Sequence, residues 1–451
     1  PSLRHTPMLS FALREIGCTA GEVVNASHNP PEYNGYKVYW EDGAQITAPK
    51  DKQIITEVQA ITDFAQVKTM SEEDAKAAGL YEVIGEEIDD RYMEALKKLV
   101  LRPEAIKEQA DKLKIVYTPL HGTGNIPVRR VLKELGFNNV YVVKEQELPD
   151  GDFSTVSYPN PEDKNAFTLA LKLAAEVDAD IVLATDPDAD RLGIYAKNEK
   201  TGEYESFTGN MSGMLILEYL LSQRKELGML PENGAVVTTI VSGKMARVIA
   251  KEYNVALIET LTGFKYIGEQ IKFFEQNHDY EFLIGYEESY GCLEGTHARD
   301  KDAVVAVMAL CEAAAYYKSK GITLCEQMEK LYQKYGFYKE SLFFQTFPGA
   351  EGKAKIDGLM DALRNQPPKQ VGPFKVTALE DYKKSVRTDI ATGETSALTL
   401  PESNVLYFEL EDGAWFCVRP SGTEPKIKYY AGVKGADAQD AEENLEALSK
   451  A

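Results

Sequence analysis

The sequence predicts an α/β protein: several similar mixed α/β domains, with largely parallel sheets and helices on both faces, followed by a C-terminal antiparallel α+β domain. Between about residues 112 and 335, short β-branched runs alternate with amphipathic helical segments, which is typical of βαβ units. The alternation occurs twice, over roughly 112–205 and 213–335, so two domains of one kind are expected. Beyond Tyr338 the pattern changes to hairpin-like strands, with an Asp-Gly turn in ELEDGAWFCVR.

Four domains follow from these patterns along the 451 residues, at 1–108, 109–208, 209–338 and 339–451. The first domain is expected to be truncated at its N-terminus, because the chain starts at Pro1 and a helical pattern begins almost at once. In open parallel sheets, ligands bind beyond the carboxyl ends of the strands. We therefore expect the domains to surround a central cleft, lined by the loops that follow their strands.

The composition excludes several functions. A net charge of −21 argues against binding to nucleic acid or to an anionic membrane, because both require a basic face. The five cysteines are scattered and form no CxxC pair, which suits reduced thiols and predicts neither disulfides nor a zinc site. No apolar run reaches membrane-spanning length. The sequence therefore predicts a cytoplasmic protein without nucleic-acid or membrane partners.

An acidic loop follows the apolar run ADIVLAT, where Asp186, Asp188 and Asp190 alternate with other residues. Three carboxylates this close raise one another's pKa unless a cation lies among them, and hard oxygen ligands favour Mg²⁺, Mn²⁺ or Ca²⁺ over zinc. An EF-hand does not fit, because Arg191 and Lys197 stand where its glycine and its bidentate glutamate belong. A solvated acidic turn and a phosphatase-type nucleophilic Asp186 remain as alternatives.

Two further loops carry polar groups suited to a sugar phosphate. In GYEESYG, the paired acids Glu287 and Glu288 and the hydroxyl of Ser289 suit recognition of sugar hydroxyls, although an ordinary acidic loop has the same pattern. In RPSGTEPK, a guanidinium, two hydroxyls and a glycine turn suit a phosphate cradle, and a plain surface turn is the alternative. The residues of this cradle are Arg419, Ser421, Gly422 and Thr423.

The stretch VVNASHNPPEYNGYKVY, residues 23–39, places Ser27, His28 and Lys37 on a stiff loop. A lone serine is usually a turn residue, and the GxSxG elbow of α/β-hydrolases is absent from the sequence. Cations near such a serine would instead suit a phosphoserine, whose charge a metal ion, a lysine and a histidine can neutralise for transfer.

With these four loops in this order, the chain resembles the α-D-phosphohexomutase family, the phosphoglucomutase/phosphomannomutase enzymes. ASHNPPEYNGYKVY resembles the phosphoserine loop of the family, DPDADR its metal loop, GYEESYG its sugar loop and RPSGTEPK its phosphate loop. The resemblance implies an intramolecular phosphotransferase of the isomerase class, similar to the glucose-type or phosphopentomutase-like bacterial branch. Some relatives carry a histidine two residues after the serine of the sugar loop, where this chain has Gly291.

The resemblance also implies a role for each site residue. Ser27 would carry the phosphoryl group and, together with Asp186, Asp188 and Asp190, would hold one Mg²⁺ per chain. Lys37 would assist proton transfer, with His28 and Arg191 alongside. The implied substrate-binding residues are Lys265 of TLTGFKYIG, Glu287, Ser289, Arg419, Ser421, Gly422 and Thr423. His121 and Arg299 are weaker candidates, with loop scaffolding as the alternative.

The implied reaction interconverts glucose 1-phosphate and glucose 6-phosphate through a bound glucose 1,6-bisphosphate, which also acts as activator. Phosphomannomutase or phosphopentomutase activity, a Mg²⁺-dependent phosphohydrolase and an inactive binding fragment are the alternatives. The expected partner is a hexose phosphate, and the expected state is a monomer or weak homodimer. Family members carry a longer segment before the phosphoserine, so weak activity is expected of a chain that starts at Pro1.

Overall fold

The computed structural model describes residues 3–348, 351–422 and 425–450. In chain order, the helices α1 to α14 of these residues are Thr6–Ile16, Lys50–Ala60, Glu72–Ala77, Glu86–Lys97, Pro103–Gln109, Asn125–Leu135, Thr168–Val177, Gly209–Glu226, Met245–Glu252, Phe264–Asn277, Ala303–Ser319, Leu324–Tyr335, Gly352–Asn365 and Ala438–Ser449. The strands β1 to β19 are Ala20–Val24, Tyr36–Trp40, Ile115–Thr118, Val140–Val142, Ile181–Thr185, Leu192–Lys197, Tyr204–Phe207, Gly234–Thr239, Ala256–Thr260, Glu281–Tyr286, Cys292–Glu294, Phe337–Thr346, Gln370–Val371, Phe374–Asp381, Val386–Asp389, Thr395–Ala397, Leu406–Leu410, Trp415–Pro420 and Lys426–Gly435.

The chain divides into two compact units. The first contains the residues up to Val237 together with Gly263–Cys325, and the second contains Thr238–Thr262 together with the residues from Glu326 onwards. The predicted α/β class, ending in an antiparallel sheet, is confirmed. The division into four domains and the shared central cleft stay predictions. Of the helices in the described part of the chain, none is long and apolar enough to cross a membrane.

The sheets of the first unit mix parallel and antiparallel strands. One has the order β4-β3-β5-β6-β7, in which β3 pairs with β4 and β5 in parallel, whereas β6 is antiparallel to β5 and β7. In a second sheet, β10 pairs with β8 in parallel and with β11 in the antiparallel sense. A parallel connection needs a dozen or more residues, and the loops 186–191 and 287–291 are too short for one. The metal and sugar loops are therefore hairpin loops, a departure from the largely parallel sheets that the sequence predicted.

A buried hydrophobic core fixes the strand that leads into the metal loop. Every residue of β5 is buried, and Val182 and Ala184 pack in one cluster with Val116, Phe167 and Ala170 from a neighbouring strand and helix. Packing on both faces explains the unbroken apolar run that the sequence shows there. The polar residues that follow β5 are consequently delivered to one fixed edge of the sheet.

The serine loop joins β1 to β2, which form an antiparallel hairpin running from Ala20↔Trp40 to Val24↔Tyr36. The two ends of the loop cross closely at Gly35, where a Cβ atom would lie 1.9 Å from the backbone oxygen of Asn25. No side chain fits at that distance, so only glycine allows the hairpin to close in this way. This explains the Asn-Gly pair that interrupts the β-like pattern.

The second unit contains the sheet β12-β19-β18-β17-β14-β15-β16, whose neighbouring strands are all antiparallel. The hairpin predicted for ELEDGAWFCVR is formed by β17 and β18, with Leu406 opposite Val418. Ile356 and Met360 of α13 and Leu448 of α14 pack on the apolar face of this sheet. The helix and sheet layers give the antiparallel α+β arrangement that the C-terminal sequence predicted.

Candidate active site

Three aspartates form a buried acidic cluster in the hairpin loop between β5 and β6. Asp186 and Asp190 are fully buried and Asp188 is 4% exposed. One carboxylate oxygen of each lies within 4.8 Å of the others. Buried carboxylates repel one another and lose their hydration, so such a cluster is unfavourable without cations beside it. The sequence prediction that this loop gathers carboxylates at one point agrees with the geometry.

Asp186 faces the serine loop with one of its two oxygens. Its Oδ1 accepts hydrogen bonds from the backbone N–H groups of Asp190 and Arg191, both at 3.0 Å. Its Oδ2 lies 3.4 Å from Oγ of Ser27, which is long for a hydrogen bond between two oxygens. The backbone therefore fixes the orientation of this carboxylate, and its second oxygen lies beside the Ser27 hydroxyl.

Asp188 and Asp190 each have one oxygen that accepts hydrogen bonds from protein groups and one oxygen that accepts none among the described residues. Nζ of Lys37 donates to Oδ2 of Asp188 at 2.9 Å and to Oδ2 of Asp190 at 3.4 Å. The Thr6 hydroxyl also donates to Oδ2 of Asp188, at 2.9 Å. The Oδ1 atoms of both aspartates are buried and have no hydrogen-bond partner among the described residues. Two orphaned carboxylate oxygens in one pocket fit a bound cation.

The charges of the cluster support the same interpretation. Burial raises the pKa of Asp186 well above its ordinary value, and the neighbouring Asp190 and Asp188 raise it further. Burial also opposes ionisation of Asp190, but Lys301, Lys37 and other nearby cations outweigh it and lower the pKa of this carboxyl. A divalent cation would neutralise the excess negative charge, and the all-oxygen donor set suits Mg²⁺, Mn²⁺ or Ca²⁺.

Ser27 is held in a backbone conformation that non-glycine residues seldom adopt, with φ at 53°. Its N–H donates to Oδ1 of Asn25 at 3.0 Å, and Nδ2 of Asn25 donates to the Thr6 hydroxyl at 2.9 Å. Nδ1 of His28 lies 3.2 Å from the Ser27 hydroxyl. Such conformations persist only where surrounding contacts enforce them, and they concentrate at functional sites.

Arg191 lies beside the aspartates, and its side chain is 16% exposed. Its Nη1 pairs with Glu162 at 2.7 Å, and its Nε lies 3.9 Å from Asp186 and 3.8 Å from Asp190. Burial alone would lower the pKa of this guanidinium, but Glu162 and the two aspartates outweigh it and raise the pKa. Arg191 is therefore a permanent positive charge at the edge of the acidic cluster.

The sugar loop is joined directly to the metal loop. Arg191 and Gly291 form an antiparallel bridge, and the N–H of Glu287 donates to the Gly291 carbonyl at 2.9 Å. Glu287 is 4% exposed, and burial raises its pKa to about 7. The Ser289 hydroxyl donates to Oε1 of Glu288 at 3.1 Å. The structure thus places Glu287 and Ser289 on a loop next to the aspartates.

Helix α8 begins directly against the backbone of the sugar loop. A Cβ atom on Gly209, the first residue of α8, would lie 2.3 Å from the Glu288 carbonyl oxygen and 2.7 Å from the Tyr290 nitrogen. Contacts this short exclude every side chain, so the absence of a side chain at Gly209 sets the distance between helix and loop.

In the part of the chain that the structure describes, neither of the weaker candidates contacts the three aspartates. Nδ1 of His121 hydrogen-bonds to the Leu148 carbonyl at 3.1 Å, and its Nε2 hydrogen-bonds to the Thr155 hydroxyl at 2.8 Å. The fully buried Arg299 pairs with Glu275 and with carbonyls of its own loop. These contacts are of the kind expected of loop scaffolding, and any role of His121 or Arg299 at the site stays a prediction. Lys265 is the second residue of α10, and its Nζ lies 5.1 Å from the Tyr266 ring. No contact of Lys265 with the aspartates is found among the described residues.

Four residues with clear contacts to the site were missed by the sequence analysis. Thr6 and Asn25 connect the Ser27 backbone to Asp188, as described above, and Glu162 fixes Arg191. Nζ of Lys301 lies 3.0 Å from Oδ2 of Asp190. Lys301 lies two residues after Arg299, a candidate of the sequence analysis, in the charged stretch HARDKD, so the sequence gave some indication of it. Thr6 begins helix α1, and a threonine at such a position gives no indication of a functional site.

The predicted phosphate cradle belongs to the second unit, on the turn that follows β18. Arg419 lies opposite Lys428 of β19, and its buried Nε has no hydrogen-bond partner within the described ranges. The N–H of Ser421 donates to the Lys426 carbonyl at 2.8 Å, and Gly422 follows in open surroundings. Thr423 lies outside the described residues. An unpaired, buried guanidinium N–H is consistent with an anion ligand.

Four family models match consecutive parts of the chain. They are described as phosphoglucomutase/phosphomannomutase alpha/beta/alpha domain I over residues 1–64, domain II over 90–201, domain III over 208–335 and the C-terminal domain over 366–448. A phosphoglucomutase of Staphylococcus epidermidis (strain ATCC 35984) is 39% identical over 432 residues, covering 95% of this chain and 76% of the relative.

Solved structures show the same fold. The Paramecium phosphoglucomutase pp63/parafusin, in its open form, has a TM-score of 0.67 at 19% identity, covering 99% of this chain and 79% of that one. An N-acetylphosphoglucosamine mutase of Aspergillus fumigatus was solved with glucose 1,6-bisphosphate and with GlcNAc-6P and magnesium. Those structures have TM-scores of 0.52 and 0.50 at 14% identity, and each comparison covers 99% of this chain and 92% of the other.

The fold, the serine-carboxylate site and these matches together define an intramolecular phosphotransferase of the isomerase class. The chain belongs to the phosphoglucomutase/phosphomannomutase family, as the four loops implied.

Proposed function

We propose that this protein interconverts glucose 1-phosphate and glucose 6-phosphate, with Ser27 as the carrier of the phosphoryl group. The observation that carries the proposal is the position of the Ser27 hydroxyl, 3.4 Å from Oδ2 of Asp186 at the edge of the buried aspartate cluster. Glucose is favoured because the relative with 39% identity is named phosphoglucomutase. The Glu-Glu-Ser order of the sugar loop supports the same choice.

The aspartate cluster would hold one Mg²⁺ per chain. Oδ1 of Asp188, Oδ1 of Asp190 and Oδ2 of Asp186 are the oxygens that protein groups leave most available, and phosphorylated Ser27 would offer a further oxygen. When bound, the ion neutralises negative charge on the phosphoryl group during transfer. The magnesium complex of the Aspergillus mutase supports this assignment.

The forward step moves the phosphoryl group from Oγ of Ser27 to the free hydroxyl of the sugar monophosphate. The bond between phosphorus and Oγ breaks, a bond to the sugar oxygen forms, and the hydroxyl proton ends on Oγ. We assign Lys37 to relay this proton, because its ammonium is held at the cluster by Asp188 and Asp190. His28 lies beside Oγ, and the guanidinium of Arg191 adds fixed positive charge.

The product of that step is glucose 1,6-bisphosphate, which must reorient so that its other phosphate returns to Ser27. Glu287 and Ser289 would hold sugar hydroxyls, and Lys265 would add a cation at the start of α10. Arg419, Ser421, Gly422 and Thr423 would hold the phosphate that is not reacting. This grip must recognise phosphate at either end of the sugar, which a guanidinium and backbone N–H groups can do. A cytoplasmic location and a monomer or weak homodimer stay predictions.

The deciding experiment incubates the protein with Mg²⁺, glucose 1-phosphate and a trace of glucose 1,6-bisphosphate. Formation of glucose 6-phosphate without release of inorganic phosphate is the expected result, together with one phosphoryl group on the peptide that contains Ser27. Release of inorganic phosphate would instead indicate a phosphohydrolase with Asp186 as nucleophile. Mannose 1-phosphate and ribose 1-phosphate, assayed in parallel, test the sugar preference.

Ser27→Ala should abolish both the isomerisation and the labelling, because the carrier oxygen is lost. Ser71→Ala is the matched control, since Ser71 only caps the exposed helix α3. Turnover close to wild type in Ser27→Ala would refute the assignment of Ser27.

A further inference from the structure

One carboxylate outside the aspartate cluster, Glu162, holds the side chain of Arg191. Its Oε1 accepts a hydrogen bond from Nη1 of Arg191 at 2.7 Å, and the two side chains are 26% and 16% exposed. The buried Nε of the same guanidinium has no hydrogen-bond partner among the described residues. It lies 3.8 Å from Oδ1 of Asp190 and 3.9 Å from Oδ2 of Asp186, beyond hydrogen-bond distance. The guanidinium is therefore bonded to Glu162 and only close to the aspartates.

The two carboxylate oxygens nearest to Nε are also proposed ligands of the Mg²⁺. Oδ1 of Asp190 and Oδ2 of Asp186 are two of the three aspartate oxygens that protein groups leave most available. A guanidinium bonds strongly to carboxylates, and a site of low polarity strengthens the bond, so Arg191 and a metal ion compete for these oxygens. A movement of about 1 Å would bring Nε within hydrogen-bond distance of one of them.

The backbone of Arg191 is fixed, so its side-chain torsions decide the outcome of this competition. Its N–H donates to Oδ1 of Asp186 at 3.0 Å, and residue 191 forms an antiparallel bridge with Gly291 of the sugar loop. Besides Glu162, the carboxylates within 4 Å of the guanidinium in the described ranges are those of Asp186 and Asp190. Without Glu162, the guanidinium would therefore turn to the aspartates.

The segment that carries Glu162 is itself held against the site. The N–H of Glu162 donates to Oδ1 of Asn160 at 3.0 Å, and Asn160 is buried. Two residues earlier, the ring of Tyr158 meets the ring of His28 edge to face, with the centroids 5.7 Å apart. The segment thus contacts the serine loop as well as the metal loop, which gives the Glu162 carboxylate a defined position.

We propose that Glu162 is a positioning residue that keeps Arg191 off the metal ligands. It holds Nη1, so that Nε stays at a distance from Asp186 and Asp190 and their oxygens remain available to a divalent cation. The guanidinium still lies close enough to add positive charge where the phosphoryl group is transferred. The inference rests on the function proposed above for the same site.

The test begins with Glu162→Gln, which keeps the size of the side chain and removes its charge. Glu134→Gln is the matched control, because Glu134 also pairs with an arginine at 2.7 Å and is 28% exposed, and no contact of it with the aspartates is found among the described residues. Mg²⁺ binding is measured by calorimetry on the full chain, kcat and KM are measured with glucose 1-phosphate, and the melting temperature reports folding.

Glu162→Gln is expected to bind Mg²⁺ about fivefold more weakly than wild type, or weaker still. A neutral amide holds a guanidinium less strongly than a carboxylate does, so Arg191 turns to the aspartates. The value of kcat should fall as well, because the guanidinium leaves the place where it assists transfer. Glu134→Gln should match wild type in all these measurements.

Arg191→Met separates positioning from the simple effect of charge. If Glu162 acts through Arg191, Glu162→Gln should change the Mg²⁺ affinity less than about twofold in the Arg191→Met background. If Glu162 acts only as a nearby negative charge, its loss weakens Mg²⁺ binding equally in both backgrounds, and the inference is overturned.

Mg²⁺ binding at the wild-type level in a folded Glu162→Gln would also overturn the inference. If that variant fails to fold, Glu162→Asp decides, because it keeps the charge on a side chain one methylene shorter. Binding at least about twofold weaker than wild type then supports the positioning role, and wild-type binding contradicts it. If the wild-type protein isomerises no sugar phosphate, the proposed function fails, while the Mg²⁺ comparison still tests Glu162.

Discussion

Oγ of Ser27 lies 3.4 Å from Oδ2 of Asp186, although 159 residues separate the two in the sequence. The serine hairpin reaches the metal loop through Thr6, whose N–H and hydroxyl both donate to Asp188. The Ser27 hydroxyl and the aspartate cluster are thus held together by tertiary hydrogen bonds that exist only in the folded chain. The predictions below test separate parts of that arrangement.

Asp186→Asn should remove most of the cation affinity while preserving the loop. The amide oxygen can still accept the two backbone N–H groups, but the negative charge is lost. We expect kcat to fall about 100-fold or more, and the heat of Mg²⁺ binding in calorimetry to disappear. Asp178→Asn is the control, because Asp178 pairs with Lys197 and asparagine tolerates its left-handed backbone. A variant with wild-type Mg²⁺ affinity would contradict the metal assignment.

Gly35→Ala should reduce activity without changing any group that is proposed to touch the substrate. Its Cβ would lie 1.9 Å from the Asn25 oxygen, so the hairpin that carries Ser27 must shift. We expect a loss of about 1–3 kcal/mol in the free energy of unfolding, measured by urea denaturation, and a lower kcat.

The control for that variant is Gly358→Ala in the exposed part of α13, where nothing lies within 4 Å of the new atom. Because alanine favours the helix, this change should stabilise the protein by about 0.5–1 kcal/mol and leave kcat unchanged. Equal effects of the two substitutions would show that the close approach at Gly35 does not position the serine loop.

His5 should make the protein less stable in mild acid. Burial lowers the pKa of this imidazole to about 4, so it stays neutral in the folded chain while the unfolded chain takes up a proton below about pH 6.5. The unfolded state then binds more protons, and stability falls as the pH drops from about 6.5 towards 4, by about 1.4 kcal/mol for each pH unit at full effect.

His5→Phe should make that pH dependence shallower, because phenylalanine keeps the edge contact with Tyr92 and cannot titrate. Urea denaturation of both proteins at pH 7 and pH 4.5 measures the difference. Parallel pH curves for the two would refute the assignment to His5.

Arg419→Met should raise KM for glucose 1-phosphate about 10- to 100-fold, because a charged hydrogen bond to phosphate is lost. Mg²⁺ affinity should stay unchanged, since the contacts of the aspartate cluster described above all lie in the first unit. Arg387→Met, which breaks a pair with Glu409 in the same sheet, is the control and should leave KM unaltered. An unaffected KM in Arg419→Met would exclude this turn as the phosphate grip.

The loops of the site could be predicted because their residue types conflict with ordinary structure. Asp186, Asp188 and Asp190 directly follow a fully buried strand, and two consecutive prolines and an Asn-Gly pair come soon after Ser27. Such combinations are unfavourable without a ligand or a modification, so the sequence itself indicates a site. The two α/β patterns and the C-terminal hairpins were equally clear from their hydrophobic periods.

The supporting contacts could not be predicted in the same way. Thr6 lies 182 residues from Asp188, and Lys301 lies more than a hundred residues from Asp190. Hydrogen bonds over such distances depend on how helices and strands pack, and no local pattern in the sequence records them. The antiparallel pairing of β6 and β11 was overlooked, although the short loops before these two strands already exclude a parallel crossover.

The close approach at Gly209 has a practical consequence for changing sugar preference. Helix α8 meets the backbone of the sugar loop at Glu288 and Tyr290 through Gly209, which has no side chain. Replacing Gly209 with alanine would push this backbone outwards without changing any residue that is proposed to contact the sugar. A library aimed at bulkier or smaller aldose phosphates should therefore vary the support beneath the loop as well as the loop itself.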